Sequence, residues 1–186
     1  MFSAFLLLFS LVCLGTAVLL LSACRNEALL PRWENIPRMR VPGIVLTAAA
    51  IFWCVPNIRP ILDPGSFLQN LLIPLAVVAV ILCAVFLDYL VSRASAALLI
   101  LTAHYFLKET FAADVYPASA FFSAGVLLFG CAGIVSGIKP WWMRDWIRAL
   151  FRRPWVRFVS AGLLIFIAAT GLWVFFSVRA QAQGAM

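Results

Sequence analysis

The sequence predicts an all-α fold, a polytopic bundle of about six transmembrane helices. Hydrophobic residues make up 65% of the 186 positions and charged residues only 11%, whereas soluble domains are roughly half apolar and one quarter charged. The apolar residues also form long stretches, and a transmembrane helix needs about 20 of them. The chain accommodates six such helices with short connections, so we expect a single integral membrane domain over residues 1–186.

Each predicted helix follows from an apolar stretch and the residues that end it. The predicted spans cover residues 2–23, 41–55, 67–87, 90–107, 118–138 and 158–178, with an interfacial helix near 140–153. Pro42 and Pro56 bracket the second span, which suits a proline in the first helical turn and another near a helix end. Only Asp88 and Tyr89 separate the third and fourth spans, so these two need a tight turn or a broken helix. We expect the six spans to form three helical hairpins. The alternative is a chain with five spans or with a re-entrant element.

The lysines and arginines predict the orientation, because basic residues resist translocation and stay on the cytoplasmic side. Eleven of the 14 lie in the odd-numbered connections: Arg25, Arg32, Arg38, Arg40, Arg93, Lys139, Arg144, Arg148, Arg152, Arg153 and Arg157. The other three are Arg59, Lys108 and Arg179. We therefore expect both termini outside, in a bacterial plasma (inner) membrane. At helix ends the net charge of +7 favours anionic lipid headgroups at the cytoplasmic face as partners, and nucleic acid is not expected.

The five cysteines lie singly within apolar stretches, a pattern that predicts neither disulfides nor a zinc site. We expect no metal and no other cofactor. The sequence Leu21-Ser22-Ala23-Cys24 matches the pattern at which bacterial lipoproteins are cleaved and lipidated, and lipidation would place Cys24 outside. A signal peptide starts with a positively charged segment, and the first five residues carry no basic side chain. An ordinary first helix that ends in small residues is therefore the favoured interpretation.

The fifth connection has the most specific pattern in the chain. Between Pro140 and Pro154 the apolar and the charged residues each recur with the spacing of an α-helix, which predicts a helix with an apolar face and a basic face. Such a helix lies in the membrane interface, with tryptophans at the acyl boundary and arginines at the phosphates. The candidate lipid or partner contacts are Trp142, Arg144, Trp146, Arg148 and Arg152. Alternatively, the helix only anchors and orients the last hairpin.

A second candidate site is a polar cluster at the outer side. The predicted topology brings together Arg59, Asp63, His104, Lys108, Glu109 and Asp114. Ionisable residues near membrane depth are costly unless they are paired or hydrated, which makes them functional candidates. The simpler interpretation of His104 is a histidine that forms a hydrogen bond with water or with a neighbouring residue. The alternatives are a proton relay, a quinone contact or a metal ligand. As the only histidine, it could supply two haem ligands only through a homodimer.

Small residues of the fifth span predict a packing surface. Gly130, Gly133 and Gly137 are the candidate packing residues, and Gly133 with Gly137 has the spacing that lets two helices approach closely. This face could line the bundle or contact another subunit. The spans contain no motif for hydrolysis or phosphoryl transfer.

Three functions remain open at this point. The leading hypothesis is a non-enzymatic accessory or scaffold subunit of a membrane complex, with membrane-protein partners. The second is a small homo-oligomeric transporter or channel with the outer polar cluster as its vestibule. The third is a membrane enzyme or redox carrier that uses His104, Lys108 and Glu109 on a lipid-soluble substrate.

Overall fold

The computed structural model describes residues 2–23, 27–62, 66–113 and 117–184, and all regular structure in these ranges is helical. The α-helices in these ranges are α1 (Phe2–Ala23), α2 (Leu30–Asn35), α3 (Arg40–Ile58), α4 (Phe67–Phe86), α5 (Leu90–Ala113), α6 (Ala118–Ile138), α7 (Trp141–Arg152) and α8 (Pro154–Gly184). Short 3₁₀ turns lie at Glu27–Leu29, Ile36–Arg38 and Arg59–Ile61. Helices α1, α3, α4, α5, α6 and α8 are long and apolar enough to cross a membrane. This confirms the all-α class and the number of candidate spans.

Three helices extend beyond the apolar stretches that predicted them. Helix α3 includes Pro56 and ends two residues later, because a proline in the last turn removes only one backbone hydrogen bond. Helix α5 continues through Lys108 and Glu109 to Ala113, since both residue types favour helical backbone. Helix α8 begins at Pro154, where proline is already compatible with a first helical turn.

The spans that pack together include consecutive pairs and pairs that are far apart along the chain. The most extensive backbone contacts join α5 to α6 and α1 to α8, followed by α3 to α5, α3 to α4 and α6 to α8. The expected division into three hairpins is therefore not confirmed. Helices α1, α5, α6 and α8 form the centre of the bundle, and α3 and α4 are added at one side.

Aromatic rings fill this centre. The ring centroid of Phe106, on α5, lies 4.6 Å from that of Phe9 on α1 and 5.6 Å from that of Phe122 on α6. Phe106, Phe122 and Ile167 are almost completely buried, and each aromatic pair contributes about 0.5–1.5 kcal/mol beyond the burial of its area. The space between the four central helices is thus occupied by side chains.

The connections that carry most basic residues lie at one end of the bundle. Helix α2, in the first connection, packs against α7 in the fifth. The buried hydroxyl of Ser92, near the start of α5, donates a hydrogen bond of 3.1 Å to the carbonyl oxygen of Pro140. We call this end, where α3, α5 and α8 begin, the basic end.

Candidate functional site

Helix α7 carries the first candidate site, and part of its apolar side is covered by the protein itself. Ile147, Leu150 and Phe151 are buried. They pack against residues of α1, of the first connection, of α7 itself and of α8: Leu20, Leu29, Leu30, Trp33, Met143 and Val156. These contacts attach α7 to the first connection and to the neighbouring helices.

Two tryptophans of α7, Trp142 and Trp146, do not take part in this buried contact. Trp142 and Trp146 are 46% and 47% exposed, and they are four residues apart on one face of the helix. Arg152 is also exposed, whereas Arg144 is half-buried. The sequence predicted one continuous apolar face, and the structure divides it into a buried part and an exposed aromatic part.

Arg148, predicted as a lipid or partner contact, forms an ion pair with Glu34 of α2. Its Nε donates to Oε1 at 2.7 Å and its Nη2 donates to Oε2 at 3.2 Å. These hydrogen bonds hold the pKa of the Glu34 carboxyl below its usual value, and the charges of Arg148, Arg144 and Arg152 act in the same direction. The pKa of Arg148 is raised by the same hydrogen bonds. This pair was not predicted, because Glu34 lies in another connection, far from Arg148 in the sequence.

The outer polar cluster is described only in part. Asp63 and Asp114 lie outside the described residues. His104 and Lys108 are exposed on one face of α5, and Glu109 is half-buried. Because α5 continues to Ala113, His104 lies about 13 Å before the end of the helix. The predicted span ended at residue 107, which would have left only about one helical turn between His104 and the helix end.

Arg59 lies in the 3₁₀ turn that follows α3. Its carbonyl oxygen accepts a hydrogen bond of 3.3 Å from Nε2 of Gln69, near the start of α4. Between described residues, no hydrogen bond or ion pair joins Arg59 to His104 or Lys108. A single cluster that unites them stays a prediction.

Gly130, Gly133 and Gly137 of α6 face α5. A Cβ atom built on Gly133 would lie 3.0 Å from the carbonyl oxygen of Ala96 and 3.0 Å from Cγ1 of Ile100. One on Gly130 would lie 3.1 Å from the Cβ of Ala103, and one on Gly137 would make an ordinary contact of 3.7 Å with Ala96. The small residues therefore allow close approach of two helices of the same chain.

The turn between α4 and α5 holds a feature that the sequence analysis missed. Tyr89 has φ of 55°, a left-handed conformation that costs an L-residue about 1–2 kcal/mol. Its hydroxyl accepts a hydrogen bond of 2.9 Å from Nη2 of Arg38. The guanidinium carbon of Arg38 lies 5.3 Å from the centre of the Tyr89 ring. One property of the sequence did indicate a special backbone conformation here. Only two residues separate the third and fourth predicted spans, so the backbone must reverse sharply between them.

Buried hydroxyl groups are a second missed feature. Ser10 and Thr110 are completely buried, Ser123 is nearly so, and none of their hydroxyls has a hydrogen-bond partner among the described residues. By contrast, Thr47 and Thr170 donate to carbonyl oxygens one turn earlier in their own helices. Unpaired hydroxyls in an apolar core reduce stability.

Among the described residues, no group of three or more histidine, cysteine, aspartate or glutamate side chains is placed to hold a metal ion. The candidate sites therefore rest on arginine, tryptophan and single ionisable side chains. No protein-family model matches the chain, and no curated protein or solved structure matches it.

Proposed function

We propose that this protein is a non-enzymatic accessory or scaffold subunit of a membrane complex, and that it binds its partner through the exposed face of α7. The observation that carries the proposal is the division of this helix into two parts. Ile147, Leu150 and Phe151 fix it to the chain, while Trp142 and Trp146 remain exposed. Tryptophan and arginine are the residues that most often dominate binding at protein interfaces.

The fixed position of α7 favours a protein partner over a purely lipid-anchored helix. An interfacial helix that only anchors a hairpin needs its apolar side for the membrane. Here the ion pair with Glu34 and the contacts with α2 orient the helix before any partner arrives. A surface that is already ordered loses less conformational entropy on binding, which increases the affinity.

The filled centre of the bundle is consistent with this function. Phe9, Phe106 and Phe122 occupy the space between the central helices. A substrate path through a single chain would require these rings to move. The surfaces of the bundle are accordingly better candidates for function than its interior.

The basic residues support the orientation proposed for the complex. The first and fifth connections meet through α2 and α7, so that most basic residues face the same side. Basic connections stay cytoplasmic, and we infer a bacterial plasma membrane with both chain termini outside. Anionic lipids at the cytoplasmic face would then surround the arginines of α7.

The test is the size and composition of the particle after gentle detergent extraction from native membranes. We expect a particle of defined mass that contains partner proteins in fixed ratio. The double substitution Trp142→Ala with Trp146→Ala should release the chain from it. Trp155→Ala is the matched control, because Trp155 is exposed near the same end but lies on α8. Release by the control variant, or a particle that contains this chain alone, contradicts the proposal.

A second candidate is a homo-oligomeric transporter or channel, and one observation favours it. His104 and Lys108 are exposed on the outer surface of α5, so a second copy could cover them and line a path between chains. The expected particle would then be a homo-oligomer without other proteins. Flux in proteoliposomes should fall when His104 and Lys108 are both replaced by alanine, and should not change with Trp142→Ala.

A further inference from the structure

A shallow surface depression of about 340 Å³, open to the outside, lies at the basic end, where the 3₁₀ turn before α3 meets the turn between α4 and α5. It is lined by Arg38, Arg40, Asp88 and Tyr89. We call it the turn pocket. None of its residues belongs to the α7 surface or to the outer polar cluster.

Two cationic side chains line the turn pocket. Arg38 and Arg40 are exposed, so their guanidinium groups keep donors for a ligand. Arg38 is held in place by its hydrogen bond to the Tyr89 hydroxyl and by its position over the Tyr89 ring. Guanidinium groups match the geometry of phosphate oxygens and can bind them with two parallel hydrogen bonds.

Two helix N-termini meet beside the turn pocket. A Cβ atom on Gly43, in the first turn of α3, would lie 2.9 Å from the Cβ of Leu90, the first residue of α5. The two helices therefore start next to each other, and no side chain caps the start of α3. The first backbone N–H groups of a helix have no partner within it and carry partial positive charge, which favours an anion.

Asp88 gives the turn pocket a second, opposite charge. Its carboxylate is exposed, and within the described ranges no ion pair joins it to Arg38 or Arg40. A simple anion would be repelled by this carboxylate. A ligand with a phosphate and a nearby ammonium group would satisfy both signs of charge.

The apolar surface next to the pocket indicates where the rest of the ligand lies. Val41, which follows Arg40, is 75% exposed, and Phe86, two residues before Asp88, is 76% exposed. Both belong to candidate membrane spans. The pocket thus combines a charged depression with adjoining apolar residues, which is the pattern of a lipid at the membrane interface.

We propose that the turn pocket binds the zwitterionic headgroup of a phosphoethanolamine lipid. The phosphate lies on the two guanidinium groups and at the helix N-termini. The primary ammonium group donates hydrogen bonds to the Asp88 carboxylate. The acyl chains extend along the exposed apolar residues of α3 and α4.

The test is lipid binding to the detergent-solubilised full chain, measured by native mass spectrometry with lipids of identical acyl chains. Phosphatidylethanolamine should bind about tenfold more tightly than phosphatidylcholine, because a quaternary ammonium cannot donate hydrogen bonds to a carboxylate. Asp88→Asn should remove this preference while it keeps the shape of the side chain. The double substitution Arg38→Gln with Arg40→Gln should lower the binding affinity for both lipids by about tenfold or more.

Arg93→Gln is the matched control, since Arg93 is exposed at the same end but does not line the pocket. Equal binding of the two lipids by the unmodified chain would overturn the proposal, as would an unchanged preference in Asp88→Asn. Tighter binding of phosphatidylglycerol would show a purely anionic site and also overturn it. Displacement of the lipid by inorganic phosphate as readily as by glycerophosphoethanolamine would assign the pocket to free phosphate instead.

The arginine variants could fail to fold, because Arg38 also holds Tyr89. Asp88→Asn then decides alone, since this side chain is exposed and makes no ion pair with another described residue. Its thermal stability should equal that of the unmodified chain, and only its lipid preference should change.

Discussion

Glu34 and Arg148 are 114 positions apart in the sequence, and their side chains form an ion pair with two hydrogen bonds, of 2.7 and 3.2 Å. The pair joins α2 to α7 beside an apolar contact in which the ring centroids of Trp33 and Phe151 are 6.4 Å apart. The first and fifth connections therefore form one structure at the basic end. The position of the exposed tryptophans of α7 depends on it.

Breaking this ion pair should loosen α2 without unfolding the bundle. We expect Glu34→Gln and Arg148→Gln to increase the rate of chymotrypsin cleavage after Trp33, because the helix that carries it loses its polar attachment. The charge-reversed pair, Glu34→Arg with Arg148→Glu, should restore protection. Arg153→Gln is the control, being exposed at the same end. Equal cleavage of all variants would mean that the apolar contacts alone hold α2.

The attachment should also depend on pH in the acid range. The folded-state pKa of Glu34 is lowered by its hydrogen bonds with Arg148, so the stabilisation is fully present above the ordinary glutamate value of about 4.3. It is lost as the pH falls through the lower folded-state pKa. A carbon-13 NMR titration of the labelled carboxyl should give a midpoint below the ordinary value. In Arg148→Gln the midpoint should move upward, and an unchanged midpoint would exclude the ion pair.

Enlarging Gly133 should destabilise the bundle. In Gly133→Leu the new side chain would meet the Ala96 carbonyl oxygen at 3.0 Å, and α5 would have to move. Overpacking of this kind costs about 1–3 kcal/mol of unfolding free energy, measurable by denaturant titration in micelles. Gly162→Leu is the control, because a Cβ at Gly162 meets nothing within 4 Å. Leucine favours helical backbone more than glycine at both positions, so an equal loss in both variants would contradict a specific close contact at Gly133.

Removing the Ser10 hydroxyl should stabilise the protein. The group is completely buried and has no hydrogen-bond partner among the described residues, so Ser10→Ala should raise the unfolding free energy by about 1 kcal/mol. Ser177→Ala should give no such gain, because that hydroxyl is exposed and bonds to the Trp173 carbonyl oxygen. A loss of stability in Ser10→Ala would reveal a partner for the hydroxyl.

Gly171 lies against the same hydroxyl, which predicts coupling between the two positions. A Cβ on Gly171 would lie 2.5 Å from Oγ of Ser10 and 3.1 Å from Cε2 of Phe122. We expect Gly171→Ala to lower the unfolding free energy by about 1–3 kcal/mol. Adding Ser10→Ala should recover part of that loss, since the effects of substitutions at two residues in contact do not simply add. Strict additivity in the double-mutant cycle would contradict the contact.

The candidate site was predictable only in part. The periodicity between Pro140 and Pro154 predicted α7, and its exposed tryptophans follow from that pattern. Burial of Ile147, Leu150 and Phe151 did not follow, because several of the residues that cover them lie in the first connection, far away in the sequence. Likewise, the residues near Arg148 in the sequence do not indicate that its partner is Glu34. Local patterns identify a face but not what lies against it.

The amino-acid sequence alone was enough to predict a helical chain with six stretches able to cross a membrane, because the length and polarity of an apolar stretch are local properties. It also determined the uneven distribution of lysine and arginine among the connections. The three-dimensional fold was needed to show that α1 packs on α8, that Glu34 pairs with Arg148, and that the backbone of Tyr89 is left-handed. Each of these depends on residues brought together from distant parts of the chain, or on the sharp turn needed to connect them.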